Sequence, residues 1–148
     1  IVPILTGYKT ILEQMGGKVT PYNFITSSVM FQKGQKVWEN SWYPHTDYSL
    51  VCNLWLSDYE GGTAFYSHKG CINKKCFPDY KQPYNKYKTV DWKNFEGDED
   101  WELYHIIPSK FNSVAIYDGS NFHGTYATLT KELRYSLISF YRDDVLIS

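Results

Sequence analysis

Apolar residues at Ile4, Leu5, Tyr8, Ile11, Leu12 and Met15 recur at the three- and four-residue spacing of an amphipathic helix, and Gly16-Gly17 supplies a stop. One helix over residues 4–15 is predicted. Beyond it the period falls to two. Pro21 to Gln32 carries β-branched and aromatic residues at Phe24, Ile25, Thr26, Val29 and Phe31, turns at Lys33-Gly34, and is followed by a short run at Val37-Trp38. A further strand is predicted from His45 to Leu56. The turn composition of Asp58 to Gly62 then joins it in a hairpin to Thr63–His68. Trp101–Ile107, Ser113–Asp118, Phe122–Tyr126 and Arg134–Tyr141 complete about eight strands, separated by Pro108-Ser109, Asp118-Gly119 and the Thr128 to Glu132 loop. Short, evenly spaced strands without interleaved helices predict a mainly β chain. The expected architecture is an antiparallel jelly roll, the cupin-like double-stranded β-helix, in one domain over residues 1–148 with the helix at its start.

Between Lys69 and Asp100 the periodicity dissolves into glycines, prolines, seven lysines and an acidic cluster from Glu96 to Asp100. A connection of this length in a compact domain is either a solvated surface excursion or a functional loop such as a lid over substrate. With 14 Tyr and 5 Trp among 148 residues, the composition agrees with strands. The formal net charge of -1 gives no global field for nucleic acid or an acidic membrane, and no apolar run approaches a membrane span. Neither partner is indicated. Three cysteines, Cys52, Cys71 and Cys76, are too few and odd in number for a secreted disulfide framework, and no signal segment opens the chain, so a cytoplasmic location is expected. The start at Ile1 without an initiator Met suggests a trimmed N-terminus. Cys71 and Cys76 with His68 and His105 match none of the usual zinc spacings and read as free thiols in a loop.

The candidate chemistry lies at Trp42-Tyr43-Pro44-His45-Thr46-Asp47. On a strand, His45 and Asp47 leave on one face, and counting onward by twos brings Asn53 to the same pocket if no bulge intervenes. With His123 far downstream they make two histidines and one carboxylate, the ligand set that holds non-haem Fe(II) and leaves coordination positions open. Strand ends from both sheets of a jelly roll line its mouth, so residues distant in sequence can converge there. In the last strand Arg134 and Ser136 alternate onto one face above Ile138 and Phe140. A guanidinium in an apolar strand calls for a carboxylate partner, either a dicarboxylate cosubstrate or a local acid such as Glu132, Asp143 or Asp144.

Taken in order, Tyr43-Pro44-His45-Thr46-Asp47, Leu56 to Phe65 with its Glu60-Gly61-Gly62 turn, Ile116-Tyr117-Asp118-Gly119 leading to His123, and Arg134-Tyr135-Ser136-Leu137 resemble the motifs of the 2-oxoglutarate and Fe(II)-dependent oxygenases. They look most like the prolyl-hydroxylase-like branch. Gly61 to His68 is also similar to a Gly-Gly-Thr-x-Phe-Tyr-x-His stretch of a bacterial and phage family of unknown function. The resemblance covers roughly Trp42 to Arg142 apart from the 69–100 loop.

This resemblance implies a hydroxylase-type dioxygenase with His45, Asp47 and His123 as iron ligands and 2-oxoglutarate as cosubstrate. Arg134 and Ser136 would hold the far carboxylate, with Asn53, Tyr66 and His68 as further contacts. Arg134 stands where the prolyl hydroxylases use Lys, which points away from prolyl substrates; a small molecule or peptide remains as the substrate class. Two other readings stay open. One is a non-catalytic jelly-roll binding module, and the other a metal-dependent cupin oxygenase that needs no 2-oxoglutarate.

Overall fold

The computed structural model of the protein describes residues 2–16, 24–33, 44–47, 50–58, 60–76, 95–127 and 133–142. Its elements run α1 (Val2–Gln14), β1 (Phe24–Lys33), β2 (Leu50–Trp55), β3 (Gly61–His68), β4 (Trp101–Pro108), β5 (Ser113–Asp118), β6 (Phe122–Ala127) and β7 (Leu133–Tyr141). The chain is mainly β, as its periodicity predicts. Two antiparallel sheets form, one with strand order β1-β7-β2-β5 and one with order β4-β3-β6. The Val37-Trp38 run, residues 77–94 of the long loop and the 128–132 connection lie outside the described residues.

Helix α1 ends where the sequence asks it to. Gly16 adopts φ 89°, a left-handed conformation that side chains with a Cβ rarely take, and donates its N–H to the carbonyl of Glu13. One turn apart, Tyr8 and Leu12 are buried on one face of the helix, against Leu50, Cys52, Leu54, Leu137 and Tyr141 of the four-stranded sheet. The Tyr8 hydroxyl donates to the carbonyl of Leu137 at 3.2 Å, so its burial leaves no orphaned donor. α1 therefore covers the outer face of this sheet. Cys52 sits in the same layer, and desolvation pushes its thiol up to about 12, which leaves it protonated and inert near neutrality.

Alternation sends Val51, Asn53 and Trp55 to the inner face, in register with Tyr117, Ala115 and Ser113 of β5 and with Phe140, Ile138 and Ser136 of β7. Across from them Phe65 of β3 meets the Tyr117 ring edge-on, with centroids 5.1 Å apart, and so joins the two sheets. On the other side of β3, Ala64 and Tyr66 pack with Trp101 and Phe122 under Phe95. The sheets thus face one another across an aromatic interior, and each has a second apolar layer behind it.

Several sequence expectations change. The hairpin expected between the 45–56 run and Thr63–His68 does not form, because β2 pairs with β5 and β7 in one sheet while β3 pairs with β4 and β6 in the other. The connection from β2 to β3 therefore crosses between the sheets. The run from His45 to Leu56 is not one strand, because His45 bridges to His123 of the three-stranded sheet while β2 begins at Leu50 in the other. The alternating pattern crosses that boundary without marking it. In β4, Phe65 pairs with His105 and Tyr66 with Leu103, so Tyr104 is a bulge residue that a period-two pattern does not reveal. Finally, Cys71 and Cys76 form a disulfide, so they are not free thiols, and the inference of a reducing cytoplasm loses its support. Among the described residues no helix is long and apolar enough to cross a membrane.

Because Leu12 is fully buried between helix and sheet, Leu12→Ala should cost about 2–5 kcal/mol of stability, read as a fall in the urea midpoint at unchanged slope. A loss below about 0.5 kcal/mol would mean that α1 is not seated on the sheet.

Candidate metal centre

A buried proline, Pro44, leads the chain into His45, whose N–H donates to the carbonyl of His123 at 2.8 Å while the N–H of His123 returns a bond to His45 at 2.9 Å. Residues that exchange both hydrogen bonds are held directly opposite each other with their side chains on one face. The two imidazole centroids are accordingly 4.5 Å apart. Two residues on, the Asp47 N–H donates to Gly119 at 2.7 Å, in the turn that leads from β5 towards His123. His45, Asp47 and His123 each bring one ligand atom into a group whose members all lie within 4.8 Å of one another.

The hydrogen bonds of His123 define the chemistry of this group. Its Nδ1 lies 2.9 Å from the carbonyl of Asn121, which accepts only, so Nδ1 carries the proton. In the neutral ring Nε2 then presents a lone pair, and it lies 3.2 Å from Asp47 Oδ2. A lone pair and a carboxylate oxygen at that distance require a cation between or upon them, either a second proton on the imidazole or a metal ion. A backbone carbonyl holding the far nitrogen is also the usual support of a metal-bound histidine. The ring is nearly buried, its centroid 4.9 Å from that of Tyr117 and 6.3 Å from that of Phe65, while His45 and Asp47 are half-buried. The donor set suits a divalent metal ion.

Burial alone would raise the Asp47 carboxyl. The hydrogen bond from His123 and the charges of His123, His45 and Lys74 outweigh it and hold the group below the ordinary aspartate value.

The other predicted residues divide between the two faces. Asn53 is 3% exposed on the inner face, with its Oδ1 buried and without a hydrogen-bond partner among the described residues, and the indole Nε1 of Trp55 shares that condition two residues on. Ser136 is buried opposite Trp55. Arg134 lies in β7 opposite Gln32, two positions from Ser136, and its side chain is outside the described residues. Tyr66 is not at the site. It belongs to the layer behind β3, where its hydroxyl donates to the carbonyl of Phe95 at 2.9 Å, and His68 packs there against Trp101. The reason is parity, since Phe65 takes the inner face and its neighbour must take the outer one.

Sequence reasoning did not identify Tyr104 and His105 as part of this surface. The β4 bulge turns both towards Phe65, with ring centroids 6.4 and 6.2 Å away, and leaves Tyr104 47% exposed, while the Phe65 ring lies 6.3 Å from that of His123. Only the register of β4 on β3 shows it.

No family model and no curated protein matches the chain. Among solved structures it is similar to the crystal structure of a structural-genomics target protein from E. coli strain K12, at 14% identity and a TM-score of 0.43, covering 88% of this chain and 94% of that one. So loose a likeness carries no argument about fold or function.

The depressed Asp47 carboxyl sets a pH dependence for the metal-free protein. Its stabilisation is fully present above the ordinary aspartate range and is lost as pH falls through the lower folded value. Urea midpoints followed from pH 7 into acid should show an advantage of the wild type over Asp47→Asn that shrinks and vanishes. An advantage independent of pH would refute the ion-pair account.

Proposed function

We propose that the protein is an Fe(II)- and 2-oxoglutarate-dependent oxygenase of the hydroxylase type, built on a double-stranded β-helix. The observation that carries this reading is the convergence of His45, Asp47 and His123, with the proton of His123 held on the nitrogen turned away from Asp47. The path of the chain supports the fold. It passes from β1 in the larger sheet to the His45 bridge beside β6, back to β2, over to β3 and β4, back to β5, over to β6 and back to β7. Such weaving between two facing sheets is how a jelly roll is wound, with the His45 segment standing as its eighth strand.

His45, Asp47 and His123 would hold the metal from one side, which leaves adjacent positions for the keto-acid end of 2-oxoglutarate and for dioxygen. Bound iron would couple oxidative decarboxylation of 2-oxoglutarate, to succinate and carbon dioxide, with hydroxylation of a substrate C–H bond. Asp47 occupies the position that a halogenase leaves to chloride, and hydroxylation follows from that. Away from the triad, the inner face offers Asn53 and Trp55, whose buried Oδ1 and Nε1 have no hydrogen-bond partner among the described residues, and Ser136 beside the backbone position of Arg134. Unpartnered polar atoms between two sheets call for a polar guest, and a dicarboxylate reaching from the metal towards Arg134 meets that need. Phe65, Tyr104 and His105 leave an aromatic wall for the substrate, a small molecule or peptide side chain.

Anaerobic addition of Fe(II) and then 2-oxoglutarate should produce the weak visible band of an iron-chelated keto acid. His45→Ala and Asp47→Ala should each abolish it, and Arg134→Ala should raise the 2-oxoglutarate concentration needed by about tenfold or more, the equivalent of one charge-assisted hydrogen bond. No band in the wild type would sink the proposal. An unchanged oxygen-consuming activity in Arg134→Ala without added 2-oxoglutarate would favour the cosubstrate-free cupin reading instead.

A further inference from the structure

Off the end of β3, Lys69 at φ 44° and Gly70 at φ 81° make a tight two-residue turn, across which His68 and Cys71 exchange both backbone hydrogen bonds at 2.7 and 2.8 Å. The disulfide then closes residues 71 to 76 into a small ring. Asn73 shapes it from within, its Oδ1 accepting from the Lys75 N–H at 3.0 Å. The metal centre needs none of these features for its donor atoms, yet four contacts tie the ring to it. The ammonium of Lys74 donates to the carbonyl of Asp47 at 3.3 Å, and the Lys74 N–H donates to Ser120 at 3.2 Å. Asn73 forms a β-bridge with Asn121, the residue whose carbonyl holds His123 Nδ1. Lys75 pairs with Asp118 at 3.1 Å, and Asp118 in turn accepts from the Ser120 N–H at 2.8 Å.

We propose that the disulfide-closed loop Cys71–Cys76 is a positioning element of the metal centre, holding Asp47 through Lys74 and His123 through Asn73 and Asn121, so that opening the disulfide weakens metal binding. The inference rests on the metal-centre reading and adds a control to it. Ile72 is exposed, and Cys76 lies at the surface while Cys71 is buried, so the ring keeps its shape through the crosslink more than through packing. Opening it frees backbone torsions that the contacts to Asp47 and Asn121 must then fix unaided. The exposed sulfur is also open to a dithiol reductant. A reductant thiolate attacks Cys76 Sγ, the S–S bond breaks, and Cys71 leaves as a thiol after taking a proton. The second thiol of the reductant then closes its own disulfide and releases Cys76, so that two electrons and two protons pass to the cysteine pair.

The test is Co(II) binding, followed by the visible ligand-field spectrum, alongside urea midpoints for global stability. It compares oxidised wild type, wild type reduced with dithiothreitol and desalted anaerobically, the same sample reoxidised, Cys71→Ser/Cys76→Ser, and Lys74→Met with its disulfide intact. Reduction and the double substitution should weaken Co(II) binding by about 10- to 100-fold and alter the spectrum of the bound ion, as loss of outer support does for metal ligands generally. Reoxidation should restore both. Lys74→Met should weaken binding in the same direction, and it decides the matter if the reduced chain unfolds. Equal affinity and an identical spectrum in folded oxidised, reduced and Lys74→Met protein would overturn the inference while leaving the metal centre standing. Absence of Co(II) binding in the oxidised wild type would overturn both together.

Discussion

Two backbone hydrogen bonds, exchanged between His45 and His123, carry more of this structure than any side-chain contact. They join the described segment 44–47 to the edge of the three-stranded sheet, and in doing so they fix the separation of two imidazoles that the sequence places far apart. The Asp47 N–H, bonded to Gly119, extends the same seam by one step and swings the carboxylate over the Nε2 edge of His123. Everything asked of the site follows from that seam. The imidazoles sit side by side, the carboxylate arrives two residues later on the same face, and the proton of His123 is drawn outward by Asn121.

Much of this was legible in the sequence because it rests on short-range periodicity. The helix at Tyr8 and Leu12, the strands of both sheets and the pairing of His45 with Asp47 all follow from spacings of four or two residues. Features that depend on partner strands were not legible. The pattern from His45 to Leu56 alternates smoothly through a change of sheet, since either sheet rewards alternation. Tyr66 looked available because hydroxyl chemistry is visible in a sequence and facing is not, whereas Phe65 beside it holds the inner position. The bulge at Tyr104 exists only as a mismatch between β3 and β4, and the disulfide only as a closeness of two cysteines to which the turn from Asn73 to Cys76 contributes.

The interior has a division of labour that the two apolar clusters make plain. Each sheet has its own apolar layer on its outer side, one under α1 and one under Phe95. The space between the sheets also buries Val51, Ala115, Trp55 and Phe65, and it holds in addition polar groups that an all-apolar core avoids, among them Asn53, Ser136 and the histidines. Isolated buried polar atoms cost stability, and a fold with two independent apolar layers tolerates several of them.

The turn from Asp118 to Asn121 receives Asp47, Lys74 and Lys75 from two other parts of the chain and passes directly into β6, where Phe122 and His123 point to opposite sides. Its length is therefore a matter of parity. One residue more or fewer, if carried into β6 rather than taken up by the turn, would exchange the destinations of those two neighbours, sending a phenyl ring to the triad and an imidazole into the apolar layer against Trp101. Two more would restore the faces but carry the histidine a full step along the strand, beyond the reach of Asp47. Substitution in this turn is governed by chemistry, but insertion is governed by counting, and only the present count serves both sheets at once.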